Sequence, residues 1–494
     1  MSKKPIAWNR LDNAAKIFPS NTTKRDTKVF RFSCELFEEI DPALLQEALD
    51  ETIEYFPLYK CVLRKGAFWN YFEESRLKPV VTEEHRPVCS PLYDPNVRTL
   101  LFEVTYFHKR INFDVFHALT DGTGAMQFLK MLVSQYLRLR HPGKELPALD
   151  YDASPTQKSE DSFQKYYNPR DAKNPDKPKR IRACQLRGAR LPEGRLGVIE
   201  GRLPVGQLLK IAHQYHTTLT VLVSAVLIDA IHKQLPPHDC KHPVVLAVPV
   251  NLRNYFDSET ARNFFGVINV SYSFAERSGE LRDIIEQVDQ GFRDGLTREN
   301  LERIISGYTK IEKNAAVRIV PLPLKNFVLK QAGRMNLAES TSTVSNIGKT
   351  NIPEVLRPYI RLFSVICSTD RLQACLCSCA DVLTVSFSTA FESTEVQKHF
   401  FRTFTAMGVP VEVVSNTCED DAEIAKINPF KPQKADSCAT PEEEARRMKK
   451  QAWQNKKDAK KAEKACRKQA KKEAKAVKKA ARQEKKNTKK QKKQ

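Results

Sequence analysis

Phe116-His117-Ala118-Leu119-Thr120-Asp121-Gly122 carries the spacing H-x-x-x-D-G where one periodicity gives way to another. Before it, Ile111-Asn112-Phe113-Asp114-Val115-Phe116 alternates as a strand does. After it, Met126, Phe128, Leu129, Leu132, Val133, Tyr136 and Leu137 recur with the period of a helix. An imidazole at a strand-to-helix turn is held out of the packed sheet. An aspartate four residues on can pin the turn instead of competing for a substrate. The arrangement suits a general base that deprotonates a hydroxyl or an amine.

Working outward, residues 100–107 and 110–116 read as a hairpin that runs straight into His117. Residues 29–36 alternate like a half-buried strand, and 67–72 look like another. Asp41-Pro42 opens a helix through Leu44, Leu45, Ala48, Leu49 and Ile53, with proline at an early position where its missing N–H costs little. These elements make an N-terminal lobe of residues 1–150. Between 151 and 185 the Ser154-Pro155, Asn168-Pro169, Asn174-Pro175 and Lys177-Pro178 pairs mark an exposed crossover. A C-terminal lobe, 186–430, resumes with a strand at 196–203 and helices at 205–215 and 219–231, the second capped by Thr218. Strands follow at 244–250, 267–274, 361–367, 374–379 and 382–388, and a helix at 394–407 closes the lobe. No element is assigned between 275 and 342. Strands and helices in mixed order, with hairpins, indicate an α+β class.

The chain has 494 residues and 41% apolar content, enough for a large core. Its net charge of +22 suggests nucleic acid until it is located. Residues 441–494 hold 23 Lys and Arg against 7 Asp and Glu, so all but six of those charges belong to the tail. That tail, 431–494, is rich in Lys and Ala with little to bury, and is expected to be disordered or a fluctuating helix. Weak contact with a polyanion through 441–494 is a possible use of it. Twelve scattered cysteines, no apolar leader and no uninterrupted apolar run of about 18 residues point to a reducing, cytoplasmic setting without a membrane span.

Further segments fall in step with the histidine motif. Val248-Pro249-Val250-Asn251-Leu252-Arg253 places an arginine directly after a buried strand. Asn263-Phe264-Phe265-Gly266 leads into the next one, and Thr343-Val344-Ser345-Asn346-Ile347-Gly348 ends another with small hydrogen-bonding residues. In this order and at these separations the chain resembles the superfamily of chloramphenicol acetyltransferase, the BAHD acyltransferases and peptide-synthetase condensation domains. The opening Trp8-Asn9-Arg10-Leu11-Asp12-Asn13 and Phe68-Trp69 look most like the bacterial alcohol O-acetyltransferase branch. The resemblance covers about residues 5–425 and leaves out the tail.

The resemblance implies two mixed-sheet lobes with an active-site tunnel between them. It makes His117 the general base, Asp121 a structural carboxylate paired with Arg253, and Gly122 a point of close packing. Ser345 falls where a hydroxyl is turned toward the developing oxyanion, with Asn346 beside it. The implied reaction moves an acyl group, acetyl above all, from acetyl-CoA or another acyl-CoA to an alcohol hydroxyl. The thioester is a cosubstrate, and neither a bound cofactor nor a metal is called for. Three departures stand out. Condensation domains usually carry two adjacent histidines, and here position 116 is phenylalanine. The D-F-G-W-G element of plant BAHD enzymes has no equivalent. Val267 replaces the asparagine that often follows the glycine of the F-G-N segment.

Other clusters have plainer readings. Cys375, Cys377 and Cys379 alternate, so a strand would turn all three to one buried face, a poor geometry for tetrahedral metal binding. His213 and His216 at i, i+3, and His238, Cys240 and His242 in a Pro-rich loop, read as surface or cap residues. The alternatives to CoA-dependent O-acyl transfer are condensation-type amide or ester formation from carrier-protein thioesters, and a non-catalytic scaffold that engages polyanions.

Overall fold

A computed structural model describes residues 8–149, 160–169, 181–236 and 241–416. These belong to one compact unit within Met1–Pro432. The 431–494 tail, most of the 151–185 crossover, and His238 and Cys240 lie outside the described residues. The strands are β1 (Trp8–Arg10), β2 (Val29–Leu36), β3 (Cys61–Lys65), β4 (Asn70–Glu74), β5 (Thr82–Glu83), β6 (Phe102–Phe107), β7 (Arg110–Phe116), β8 (Gly197–Pro204), β9 (Val244–Asn251), β10 (Phe265–Tyr272), β11 (Ser342–Lys349), β12 (Ile360–Cys367), β13 (Leu372–Cys379), β14 (Val382–Thr389) and β15 (Glu412–Ser415).

Two mixed sheets dominate, in the order β12-β2-β7-β6-β5 and β10-β9-β11-β13-β14-β8-β15. A small third sheet, β1-β4-β3, accompanies them. The fold is therefore the expected α+β arrangement of two mixed sheets. In the larger sheet β11 runs parallel to both β9 and β13, and the other pairs are antiparallel. In the smaller one β5 and β6 are parallel.

The sheets are tied by one exchange. β12, from the second half of the chain, pairs antiparallel with β2 from the first, Phe363 opposite Cys34 and Val365 opposite Phe32. It also packs on β13 and β14. A charged cluster closes the seam: Glu35 of β2 accepts from Arg202 at 2.8 Å and from Arg361 at 2.6 Å, and Arg202 reaches Glu412 at 3.1 Å.

Period-two alternation explains how β13 serves two cores at once. Cys375, Cys377 and Cys379 pack into the cluster around β2, β7 and the helix Gly122–Arg140, while Ala374 and Leu376 pack into the cluster around the helix Leu219–His232. The three cysteines do share one face, as their spacing predicts. Position 116, where a second histidine would stand, is a core position: Phe116 is fully buried and stacks on Tyr93 with centroids 5.2 Å apart.

The stretch without an assigned element forms four helices, Leu281–Gly295, Arg298–Lys313, Ala315–Ile319 and Leu322–Leu337. The first buries Ile284, Ile285, Val288 and Phe292, an amphipathic pattern legible in the sequence. The last carries a helical apolar spacing too, but its large apolar residues face outward. Among the described residues no single helix is long and apolar enough to cross a membrane.

Candidate active site

His117 follows the last residue of β7, and its backbone N–H donates to Lys28 O at 2.8 Å. Lys28 itself holds φ at 56°, the left-handed region, so the crossing point is backbone-specific. The imidazole lies in an aromatic bracket. Phe18 stacks on it with centroids 4.2 Å apart, Phe30 meets it edge-on at 4.9 Å, and Phe265 stands at 5.5 Å. Rings from three separate segments thus fix its plane.

Asp121 is the N-cap of the helix Gly122–Arg140. Its Oδ1 accepts from the backbone N–H of Thr123 at 3.1 Å and of Gly124 at 3.2 Å. Its Oδ2 accepts from Arg253 Nη1 at 2.8 Å and from the Phe264 N–H at 2.8 Å. The pair that the resemblance implied is therefore formed, and both side chains are nearly fully buried. Arg253 does more than pair. Its Nε donates to Thr260 O at 3.0 Å, its Nη2 to Arg262 O at 2.5 Å, and its Nη1 also reaches Asn251 Oδ1 at 3.1 Å. One guanidinium thus gathers the carbonyls of residues 260–264 and ties them to the turn after His117.

Gly124 completes the joint. A Cβ there would lie 2.4 Å from Ala261 O and 2.2 Å from Thr120 Oγ1. Thr120 Oγ1 itself donates to Ala261 O at 2.7 Å, so the loop backbone sits directly on the first helical turn. Gly122 is less constrained than its place in the motif suggests. Its nearest obstacle is the Ile347 Cδ1 methyl at 2.8 Å, the end of a side chain that can move.

The loop so held carries Asn263, a residue that no local sequence pattern singles out. Asn263 Nδ2 donates to the buried Asp12 Oδ2 at 3.3 Å. Its Oδ1 therefore points the other way, to His117 Nδ1 at 3.1 Å. This orientation assigns the proton to Nδ1 and the lone pair to Nε2, which has no hydrogen-bond partner among the described residues. Burial is the main influence on the ring and lowers its pKa from the ordinary 6.5, helped a little by Lys28, against smaller raising contributions from the residue's own backbone, Asp121 and Asn263. Asp12 is raised by its burial and held down by Arg262, 3.6 Å away. Only long-range pairing links Asp12, Asn263 and His117, and no local motif signals it.

His117 opens on a cavity of about 800 Å³ walled by both large sheets: Phe30, Phe32 and Val365 on one side, Val248, Ser345 and Gln373 on the other. Ser345 alternates with the core residue Val344 and so turns to the cavity, with no hydrogen bond from its hydroxyl among the described residues. Asn346 also borders the cavity but is engaged elsewhere. Its Nδ2 donates to Thr220 Oγ1 at 2.7 Å and its Oδ1 accepts from the Gly348 N–H at 2.8 Å. Arg253 stands behind the wall. A second cavity of about 910 Å³, bordered by Arg10, Lys16, Trp69, Glu73, Arg98 and Arg318, contains none of these groups.

The bland candidates settle as surface and core. His213 is exposed on its helix, and His216 lies beyond that helix with φ at 53°, ending the turn. Cys375 Sγ approaches Cys367 Sγ at 3.7 Å as a free thiol, and burial pushes the Cys377 thiol up to about 12. No group of three or more metal-ligating side chains occurs among the described residues.

No known family profile and no curated protein matches this sequence. Solved structures do match in fold. An arginine-to-alanine variant of the starter condensation domain of rhizomide synthetase, in complex with C8-CoA, aligns with a TM-score of 0.57 at 13% identity over 80% of this chain and 94% of that one. The first condensation domain of the calcium-dependent antibiotic synthetase gives 0.56 at 16% over 80% and 95%. Trichothecene 15-O-acetyltransferase from Fusarium sporotrichioides gives 0.51 at 12% over 80% and 93%. At such identities the likeness is one of fold.

Proposed function

We propose that the protein is an acyltransferase of the alcohol O-acetyltransferase type, moving an acyl group from a CoA thioester to a hydroxyl with His117 as general base. The observation that carries this reading is the Asp12–Asn263–His117 chain, which leaves an unprotonated Nε2 on a neutral imidazole beside a cavity walled by two sheets. The acceptor oxygen attacks the thioester carbonyl carbon while Nε2 takes its proton, a form of catalysis worth roughly 10²–10⁴-fold. Negative charge then collects on the former carbonyl oxygen, and in this reading the Ser345 Oγ–H, which borders the same cavity, donates to it. The C–S bond breaks, and the imidazolium returns its proton to the leaving thiolate. The base is thereby restored with no covalent acyl-enzyme.

Two neighbours in fold support the choice of substrates: one is bound to C8-CoA, and another is an O-acetyltransferase. Phe116, buried where condensation domains usually place a second histidine, favours transfer to a hydroxyl over carrier-protein condensation. The test incubates the protein with acetyl-CoA and longer acyl-CoA donors, a panel of alcohols and a thiol reporter. Acceptor-dependent thiol release that disappears in His117→Ala, with unchanged circular dichroism, is the expected result. Undiminished release by His117→Ala would remove the assignment.

A further inference from the structure

An apolar stripe runs along the outward side of the helix Leu322–Leu337. Leu324, Phe327, Val328 and Met335 are 57%, 60%, 58% and 50% exposed. With Gln331 they follow the spacing i, i+3, i+4, i+7, i+11, which keeps them on one side of a helix. The opposite side meets the body of the protein. Leu322 and Lys325 are buried there, with Lys325 Nζ donating to Phe68 O at 3.0 Å and sitting 3.5 Å from the Trp69 ring centroid. Gly333 lies on the same side, against the Asn21 amide. Burial on this helix is inverted: a cation faces in and the large apolar side chains face water. A helix that merely covered a core would show the reverse. Ile319, on the preceding short helix, is likewise 73% exposed.

Charge identifies what this surface fits. From Asn314 to Ala338 the chain contains no Asp or Glu, while Arg318, Lys330 and Arg334 are exposed. At about 100° per residue Arg334 and then Lys330 border the Phe327 edge of the stripe. A second copy related by a twofold axis would bring the same cations together, which opposes self-association. A bilayer interface with anionic headgroups takes both halves of the pattern, apolar side chains among the acyl chains and cations at the phosphates. We propose that the helix Leu322–Leu337 is a peripheral docking surface for anionic lipid bilayers, inserting Leu324, Phe327, Val328 and Met335 with Lys330 and Arg334 at the headgroups. The proposal is independent of the acyl-transfer reading.

The test uses the full chain, tail included, in co-sedimentation with vesicles of phosphatidylcholine alone or mixed with phosphatidylserine. The wild-type protein is expected to partition onto the mixed vesicles. Phe327→Asp/Val328→Asp should weaken that partitioning by about tenfold or more, since it removes two inserting side chains. Lys330→Gln/Arg334→Gln should weaken it on mixed vesicles only. All four positions are exposed, so circular dichroism should not change. The proposal is overturned if the wild-type protein stays in the supernatant, if the aspartate variant partitions as tightly as wild type, or if light scattering shows that variant turning a dimer into a monomer, which would make the stripe a self-interface.

Discussion

Replacing Arg253 by methionine isolates the contact on which the joint between turn and loop depends. The guanidinium and the Asp121 carboxylate are 10% and 6% exposed and 2.8 Å apart. Removing one partner of such a pair leaves a buried charge, at about 3–5 kcal/mol. An exposed pair would cost only ~0–1 kcal/mol. Against a typical total of about 5–15 kcal/mol, Arg253→Met should forfeit a large part of the stability. Asp121→Asn keeps an oxygen that caps the helix, because asparagine caps about as well as aspartate, and removes the charge together with the acceptor that meets Arg253 and the Phe264 N–H. The double variant contains no lone buried charge, so it should be less destabilised than the sum of the two singles, by roughly 0.5–3 kcal/mol. Urea unfolding followed by fluorescence and circular dichroism measures all three, and coincident transitions license the free energies. A loss below about 1 kcal/mol for Arg253→Met, or additivity within ~0.3–0.5 kcal/mol, would refute the joint as a buried, coupled pair.

Three further outcomes are expected. His117 is lowered from 6.5 by burial, so between its folded value and 6.5 the unfolded chain binds a proton that the native one does not. Stability should therefore rise with pH through that window, and His117→Gln should flatten the slope by up to about one proton. The acid limb of kcat/KM should lie below 6.5, and Asn263→Leu should cut kcat about tenfold or more with KM little changed, by freeing the ring. A limb at or above 6.5 contradicts the assignment. For Gly124→Ala, the new methyl meets the Ala261 carbonyl, so thermal unfolding should show a lower Tm and turnover should fall with it, whereas Gly122→Ala, opposed only by the Ile347 methyl, should be milder. Equal effects would show that the Ala261 contact is not what the glycine serves.

What the sequence made legible follows from the range of the interactions. The strand 29–36, the hairpin into His117, the cap at Asp41 and the helix begun by Thr218 are set by periodicity and turn chemistry within a few residues, and each is where the pattern places it. The Asp121–Arg253 pair spans 132 positions and could be anticipated only through the resemblance. The contacts of Asn263 with His117 and Asp12 span 146 and 251 positions, with no periodicity to announce them. Likewise β12 carries an ordinary apolar pattern, and nothing in it says that its partner is β2 and not a neighbour in sequence.

Seen from its contacts, the motif works as a joint more than as a pair of catalytic groups. Asp121 touches neither nitrogen of His117 in a hydrogen bond. It holds Arg253 and the Phe264 N–H, Arg253 holds the carbonyls around Asn263, and Asn263 holds the ring. A carboxylate hydrogen-bonded directly to the imidazole would raise its pKa and favour imidazolium, whereas a neutral amide fixes the tautomer with a smaller effect on basicity. The longer route therefore delivers orientation without giving up the neutral base. It also predicts how damage travels: Arg253→Met should lower kcat through a displaced Asn263, and Asp121→Asn should do the same while moving the acid limb lower, because it also removes a charge that raises the ring's pKa. If Asp121→Asn and Arg253→Met kept the wild-type kcat while Asn263→Leu lowered it, the relay through residues 260–264 would be the wrong account.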